Sequence, residues 1–312
     1  MNILPSILIL CVLIFLLVKS ADLLESSFIS VSKKLRVNTF TVGFVILAVT
    51  SSLPETFVAI NSAVGNVTGL SVGNLVGATL LLLTVVIGIS AIKSGGMPFK
   101  GFYGTKEILL SLGIIYAQII ALVDGNLEWL EGLLLLALYT GFVIYILGKS
   151  NSLDIHAHRK SHSVPVILMK SVLGIVGLVV TSNLTVSYAI DLAGLLSIPT
   201  IILGLLVFSV GTNLPEIIIL IRSNDPEKSK LAAGNFIGSA TFNTAILGLL
   251  AILRPGTVSG FVTLIPALAV LTVVIFIFAI MVISDKEISK REGLILLSLF
   301  LFYAIAEYTM NF

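Results

Sequence analysis

A single cysteine, Cys11, stands in the whole chain of 312 residues. Its isolation excludes an intrachain disulfide and any metal site built from cysteine pairs. Histidine is almost as scarce: His156, His158 and His162 fall in one string, "DIHAHRKSH". No other ligand type stands near them, so the string reads as a solvated loop and not as a metal or pH-sensing site. The zinc-protease pattern HExxH is missing, and the acids that do occur in apolar sequence are glutamates, so an intramembrane enzyme is not expected. Charge is the most telling shortage. Only 11% of residues are charged, against about 25% in soluble domains. The net charge of +2 comes with no cluster that would make a nucleic-acid face. The N-terminus "MNILPSILIL" lacks the basic segment and small-residue cleavage site of a signal peptide, so the first apolar run is expected to be a retained span.

What fills the chain instead is hydrocarbon: 57% of residues are hydrophobic. Apolar runs separated by polar punctuation predict ten membrane-spanning helices, at 4–30, 39–63, 70–91, 106–123, 128–148, 165–190, 200–222, 230–253, 259–283 and 291–309. About 20 apolar residues suffice to cross the hydrocarbon core as a helix. No segment alternates as a barrel strand would, and an open sheet cannot face lipid. The fold class is therefore all-α polytopic. The lysines and arginines test the partition. Lys33, Lys34 and Arg36 fall in the first loop of one side, followed on that side by Lys93, Lys100 and Lys106, by Lys149, Arg159 and Lys160, by Arg222, Lys228 and Lys230, and by Lys286, Lys290 and Arg291; the opposite side has Arg254. That bias predicts a cell-membrane protein with basic loops in the cytoplasm and both termini outside. Glu128 and Trp129, near an outer end, read as interfacial anchors. Lys19, Asp22 and Glu25 form an (i, i+3) row near the inner end of the first span and read as an interfacial salt-bridge set.

The chain also contains itself twice. With an offset of 161, "GFVILAVTSSLPE" (43–55) falls on "GLLVFSVGTNLPE" (204–216), and "GNLVGA" (73–78) on "GNFIGS" (234–239). Such self-similarity marks a duplicated unit, giving two halves, 1–150 and 165–312, joined by a short cytoplasmic linker, 151–164. Each half has five spans. Five is odd, so the second half enters the membrane from the opposite side, as in many secondary transporters, whose substrate site lies near the midplane between the repeats. Pro54 leaves the carbonyl of Thr50 without its helical partner, and Pro215 does the same for Gly211. Backbone freed at membrane depth is tolerated only inside protein or beside a cavity. Glu55 and Glu216 follow those prolines in apolar surroundings. One ionised residue at the bilayer centre costs about 3 kcal/mol, so a symmetric pair calls for a compensating cation or a shared proton. Carbonyl and carboxylate oxygens suit hard ions such as calcium and sodium.

"TSSLPE" with "GNLVGA", and "GTNLPE" with "GNFIGSATFN", resemble the two alpha-repeats of the calcium/cation antiporter superfamily, and most of all those of the prokaryotic sodium/calcium exchangers. The resemblance implies ten helices in two inverted five-helix repeats with broken helices at the centre. It implies a secondary antiporter that exchanges calcium for sodium by alternating access, with spans one and six sliding across the rest. Glu55 and Glu216 would be the principal ligands, helped by the hydroxyls of Ser51 and Thr212, the carbonyls of Ala48 and Ser209, Ser239 and Asn243. Asn74 and Asn235 would bond freed backbone at the helix breaks; ordinary capping and glycine-mediated packing fit them as well. Partners would be inorganic cations and the lipid bilayer, with no cofactor beyond the transported ions, and the chain would work as a monomer. Three positions depart from the family pattern: Thr50 replaces the motif glycine, Ala78 a serine that would mirror Ser239, and Leu82 a polar residue that would mirror Asn243. They leave two alternatives open. Protons could replace some sodium, since two close carboxylates resist double ionisation, or the chain could be a degenerate relative that no longer transports.

Overall fold

Backbone groups in lipid must bond within their own segment, and nearly all of the described chain does so as helix. The computed structural model describes residues 3–34, 45, 47–98, 104–149, 164–214, 217, 226–284 and 287–311. The helices are α1 (Ile3–Lys34), α2 (Leu47–Ser51), α3 (Leu53–Val64), α4 (Thr68–Ser94), α5 (Thr105–Leu122), α6 (Trp129–Lys149), α7 (Val164–Leu196), α8 (Thr200–Thr212), α9 (Pro226–Leu253), α10 (Phe261–Ser284) and α11 (Lys290–Asn311). Among the described residues seven are long and apolar enough to cross a membrane. The expected second span is interrupted at Ser52 and the expected seventh at Asn213. The histidine loop and Arg36, Lys100, Arg159, Lys160, Arg222 and Lys286 lie outside the described residues.

Two helices are buried on every side. All residues of α4 from Thr68 to Leu81 are buried, and α9 is enclosed from Gly234 onward except at a few partly exposed positions. A helix that is apolar all round belongs at the centre of a bundle. The other long helices bury one face and turn leucine, valine and phenylalanine outward, as Leu8, Val12 and Phe15 of α1 do. That outward apolar surface is what lipid requires.

Small residues let the central backbones touch. A Cβ on Gly204 of α8 would lie 2.2 Å from the Leu70 carbonyl of α4, and one on Gly73 would lie 2.3 Å from the Ile201 carbonyl. Close approach without side chains is how membrane helices gain packing energy where lipid offers no hydrophobic drive. Two glycine pairs farther out are reciprocal. A Cβ on Gly88 or on Gly293 would meet the other's carbonyl at 2.8 Å, and Gly132 and Gly248 stand in the same relation at 2.6 and 2.8 Å.

The buried apolar side chains form two clusters. The larger runs through α4, α5, α9, α10 and α11. The smaller joins Leu10, Ile14, Leu17, Ala21 and Leu24 of α1 to Leu178, Val186, Ala189, Leu192 and Ala193 of α7, and meets the motif helices at Val58, Leu70, Leu203 and Phe208. α1 and α7 lie antiparallel, with Gly177 against Ser20, Gly174 against Leu24, and the Ser27 hydroxyl 3.4 Å from the Ile167 carbonyl.

An all-α reading misses four short strands. β1 (Met97–Pro98) pairs antiparallel with β4 (Glu287–Ile288), and β2 (Asn126–Leu127) with β3 (Gly256–Thr257). Two residues are too few to leave an alternating pattern, so sequence could not reveal them. Under the offset of 161, β2 falls on β4, and β1 falls within two residues of β3. The two pairs therefore exchange with one another.

Candidate functional site

Both Pro–Glu motifs follow a break of the same shape. Ser52 adopts φ −94°, ψ 16° and Asn213 adopts φ −96°, ψ 6°, a sparsely populated region near the end of the helical well. After each break one backbone bond restarts the helix, Thr56 N–H to the Ser52 carbonyl at 3.0 Å and Ile217 N–H to the Asn213 carbonyl at 3.2 Å. Pro54 sits in the first turn of α3, where its missing N–H would have had no helical partner. The break thus falls two residues before the proline. Pro215 and Glu216 lie outside the described residues.

Glu55, in that same first turn, is 3% exposed. Its Oε1 accepts a hydrogen bond from Asn213 Nδ2 at 3.3 Å, across 158 residues of chain. Its Oε2 is buried and has no donor among the described residues. A buried carboxylate oxygen without a donor is costly unless a cation or a proton meets it.

Around the first break, oxygens converge from both halves. The Ser51 and Ser239 hydroxyls are 2.8 Å apart. Both reach the Ala48 carbonyl, Ser51 at 3.3 Å and Ser239 at 3.5 Å. Around the second break the arrangement differs. Asn213 Nδ2 donates to the Ser209 carbonyl at 2.8 Å and to Thr212 Oγ1 at 3.3 Å. The Thr212 hydroxyl donates to the Phe208 carbonyl at 2.9 Å, and the Ser209 hydroxyl to the Leu205 carbonyl.

The remaining candidates are distributed along the two central helices. Asn243 is buried and donates from Nδ2 to Thr79 Oγ1 at 3.2 Å, while its Oδ1 has no donor. Asn74 is fully buried and neither end of its amide is bonded. The Asn235 Oδ1 is likewise buried and unbonded. Ala78 and Leu82 are buried, so neither adds a polar atom, and the Thr50 hydroxyl bonds locally to the Leu47 carbonyl at 3.2 Å. Lys19 and Asp22 form an ion pair of 2.7 Å whose side chains are both largely exposed. Among the described residues no group of three or more His, Cys, Asp or Glu could hold a metal ion.

Two partners escaped the sequence reading. Asn213 stands inside "GTNLPE" but matches Ser52 in the other half, which drew no attention. Thr79 lies beside Ala78, while its counterpart in the second half is Ala240. The hydroxyl has moved one position along the helix between the halves, and only the fold reveals that it meets Asn243.

Comparison with known proteins agrees with this layout. The profile of the family described as sodium/calcium exchanger protein matches residues 5–148 and 167–309. An uncharacterized membrane protein of Methanocaldococcus jannaschii is 27% identical over 293 residues, covering 90% of each chain. A putative antiporter, CaxA, of Alkalimonas amylolytica is 28% identical over 312 residues, covering 92% of this chain and 94% of its own. Among solved structures, the sodium–calcium exchanger NCX_Mj soaked with sodium and strontium ions superposes with a TM-score of 0.67 at 23% identity, covering 98% of this chain and 99% of its own.

Proposed function

The chain belongs to the sodium/calcium exchanger protein family, and from that premise we propose that it is a secondary antiporter exchanging calcium for sodium across a cell membrane. Calcium would bind between Glu55 and Glu216, with Ser51, Ser239 and the Ala48 carbonyl supplying neutral oxygens. The observation that carries this is the state of the buried oxygens. Glu55 Oε2, Asn74 Oδ1, Asn235 Oδ1 and Asn243 Oδ1 have no donor among the described residues, although each such group would otherwise cost about 1–3 kcal/mol to bury. A hard cation satisfies oxygens of this kind.

Two inverted halves of five spans fit the exchanging strand pairs and the two reciprocal glycine crossings, with both termini outside and the basic loops cytoplasmic. α1 and α7 would be the sliding spans; they pack on one another through the smaller apolar cluster. Exchange is enforced because an empty site leaves carboxylates unpaired in a medium of low dielectric. The chemistry is transport, with no covalent step.

The test is calcium uptake into liposomes carrying the purified protein, driven by an outward sodium gradient and, separately, by a proton gradient. Sodium-driven uptake that disappears in Glu55→Gln and in Glu216→Gln is the expected result. A wild-type protein that moves no calcium under either gradient would be a non-transporting relative, and one driven by protons alone would make the proton-coupled alternative the correct one.

A further inference from the structure

We infer that the side-chain amide of Asn213 stands in for one monovalent cation in the second half of the site, so that this half binds one sodium ion fewer than its oxygens would otherwise hold. The inference rests on the exchange reading above and specifies its stoichiometry.

Three oxygens of different chemistry surround one nitrogen. Asn213 Nδ2 lies 2.8 Å from the Ser209 carbonyl, 3.3 Å from Thr212 Oγ1 and 3.3 Å from Glu55 Oε1. A carbonyl and an ionised carboxylate only accept hydrogen bonds, so the nitrogen end of the amide, and not its oxygen, must face them. Ser209, Thr212 and Glu55 are three of the groups that the family resemblance implies for cation binding. In this chain an N–H donor already engages them. The amide carries partial positive charge to the oxygens, as a sodium ion would, but it is tethered and cannot leave.

The first half contrasts with it. There the Ala48 carbonyl accepts the backbone N–H of Ser52 at 3.3 Å, and the side chains that reach it are the hydroxyls of Ser51 and Ser239 rather than an amide. A hydroxyl rotates and can turn a lone pair toward an arriving ion. Ser52 takes the place of Asn213 in that half, and Ser239 is matched by Ala78 in the other. A residue at the Gly77 position would press on Ser209, its Cβ 2.9 Å from the Ser209 Cβ, so this stretch of α4 faces the second break with no hydroxyl to offer. Asn213 supplies the donor that Ala78 cannot. The amide donates to Oε1 alone, and Oε2, without a donor among the described residues, is left for the divalent ion.

Sodium binding to the purified full-length protein separates this role from simple helix capping. Radioactive sodium bound per molecule is counted for the wild type, for Asn213→Ser and for Asn213→Asp. Both variants should bind one more sodium ion than the wild type at saturation. In liposomes, the Hill coefficient for sodium against calcium uptake should rise by about one, since it is bounded by the number of sites. Unchanged sodium stoichiometry in a correctly folded variant overturns the inference. Asn213→Asp preserves size and replaces the donor by an acceptor, so it supplies the answer if Asn213→Ser does not fold. The sodium count does not depend on calcium transport: a wild type that moves no calcium, with variants that still gain a sodium ion, would sink the exchange reading and leave the amide's role standing.

Discussion

Ser239 carries a hydroxyl from the second half of the chain to the backbone of the first, 2.8 Å from Ser51 Oγ and 3.5 Å from the Ala48 carbonyl. Removing it in Ser239→Ala should weaken calcium binding while leaving the fold intact, because one such hydrogen bond is worth about 1 kcal/mol to stability. The expected outcome is a several-fold rise in the calcium concentration for half-maximal uptake, with little change in thermal unfolding. At this scale the sequence was partly legible. A proline beside a glutamate in apolar sequence is a contradiction that a reader can see, and its repetition pointed to Glu55 and its surroundings. The orientation of an amide is different. Asn213 could have faced water, a carbonyl or a carboxylate, and a bond spanning 158 residues leaves no local trace. Thr79 was hidden for a related reason: the repeat placed Ala78 where a hydroxyl was sought, and the hydroxyl stood one residue further on.

The interrupted helices stay in position because α4 and α8 cross backbone to backbone. A methyl group on Gly204 would sit 2.2 Å from the Leu70 carbonyl, and nothing in that contact can move aside as a side chain would. Gly204→Ala should therefore destabilise by about 1–3 kcal/mol, the usual range for overpacking a close-fitting core. It should also impair transport, since α8 carries Ser209 and Thr212. Gly141→Ala, where a Cβ meets nothing within 4 Å, is the control and should leave thermal unfolding in detergent and calcium uptake unchanged. Helix existence was the most legible property of the elements, because long apolar runs have few other fates. Helix ends were less so: α1 reaches Lys34 and α7 reaches Leu196, several residues past the expected limits, as α1 continues through the polar "SVSKK" and the apolar run of α7 goes on beyond Asp191. The four strands were invisible, since each is stabilised by a partner in a distant loop.

For the molecule as a whole, α1 and α7 form a unit packed through the smaller apolar cluster, whose edge meets the motif helices at Val58, Leu70, Leu203 and Phe208. If that unit slides, fastening it to α8 should stop transport. A Cβ on Gly211 would lie 3.7 Å from the Cβ of Ile14, within the range of about 3.5–4.5 Å that a disulfide requires. In a Cys11→Ser background, which removes the exposed native thiol, the double substitution Ile14→Cys/Gly211→Cys should abolish calcium uptake on oxidation and recover it with reductant. Uptake that persists in the oxidised protein would argue against motion between α1 and α8.

The two helices of that unit have apolar stretches of unequal length, Leu4–Ser27 and Pro165–Leu196, of 24 and 32 residues. At 1.5 Å per residue the longer extends about 48 Å, well beyond a hydrocarbon core of about 30 Å. It has to lean, or thicken the lipid around it, and its lean is coupled to its packed neighbour. If this pair is the part that slides, membrane thickness acts as a mechanical load on it, and turnover in phosphatidylcholine bilayers should change with acyl-chain length while the affinity for calcium does not.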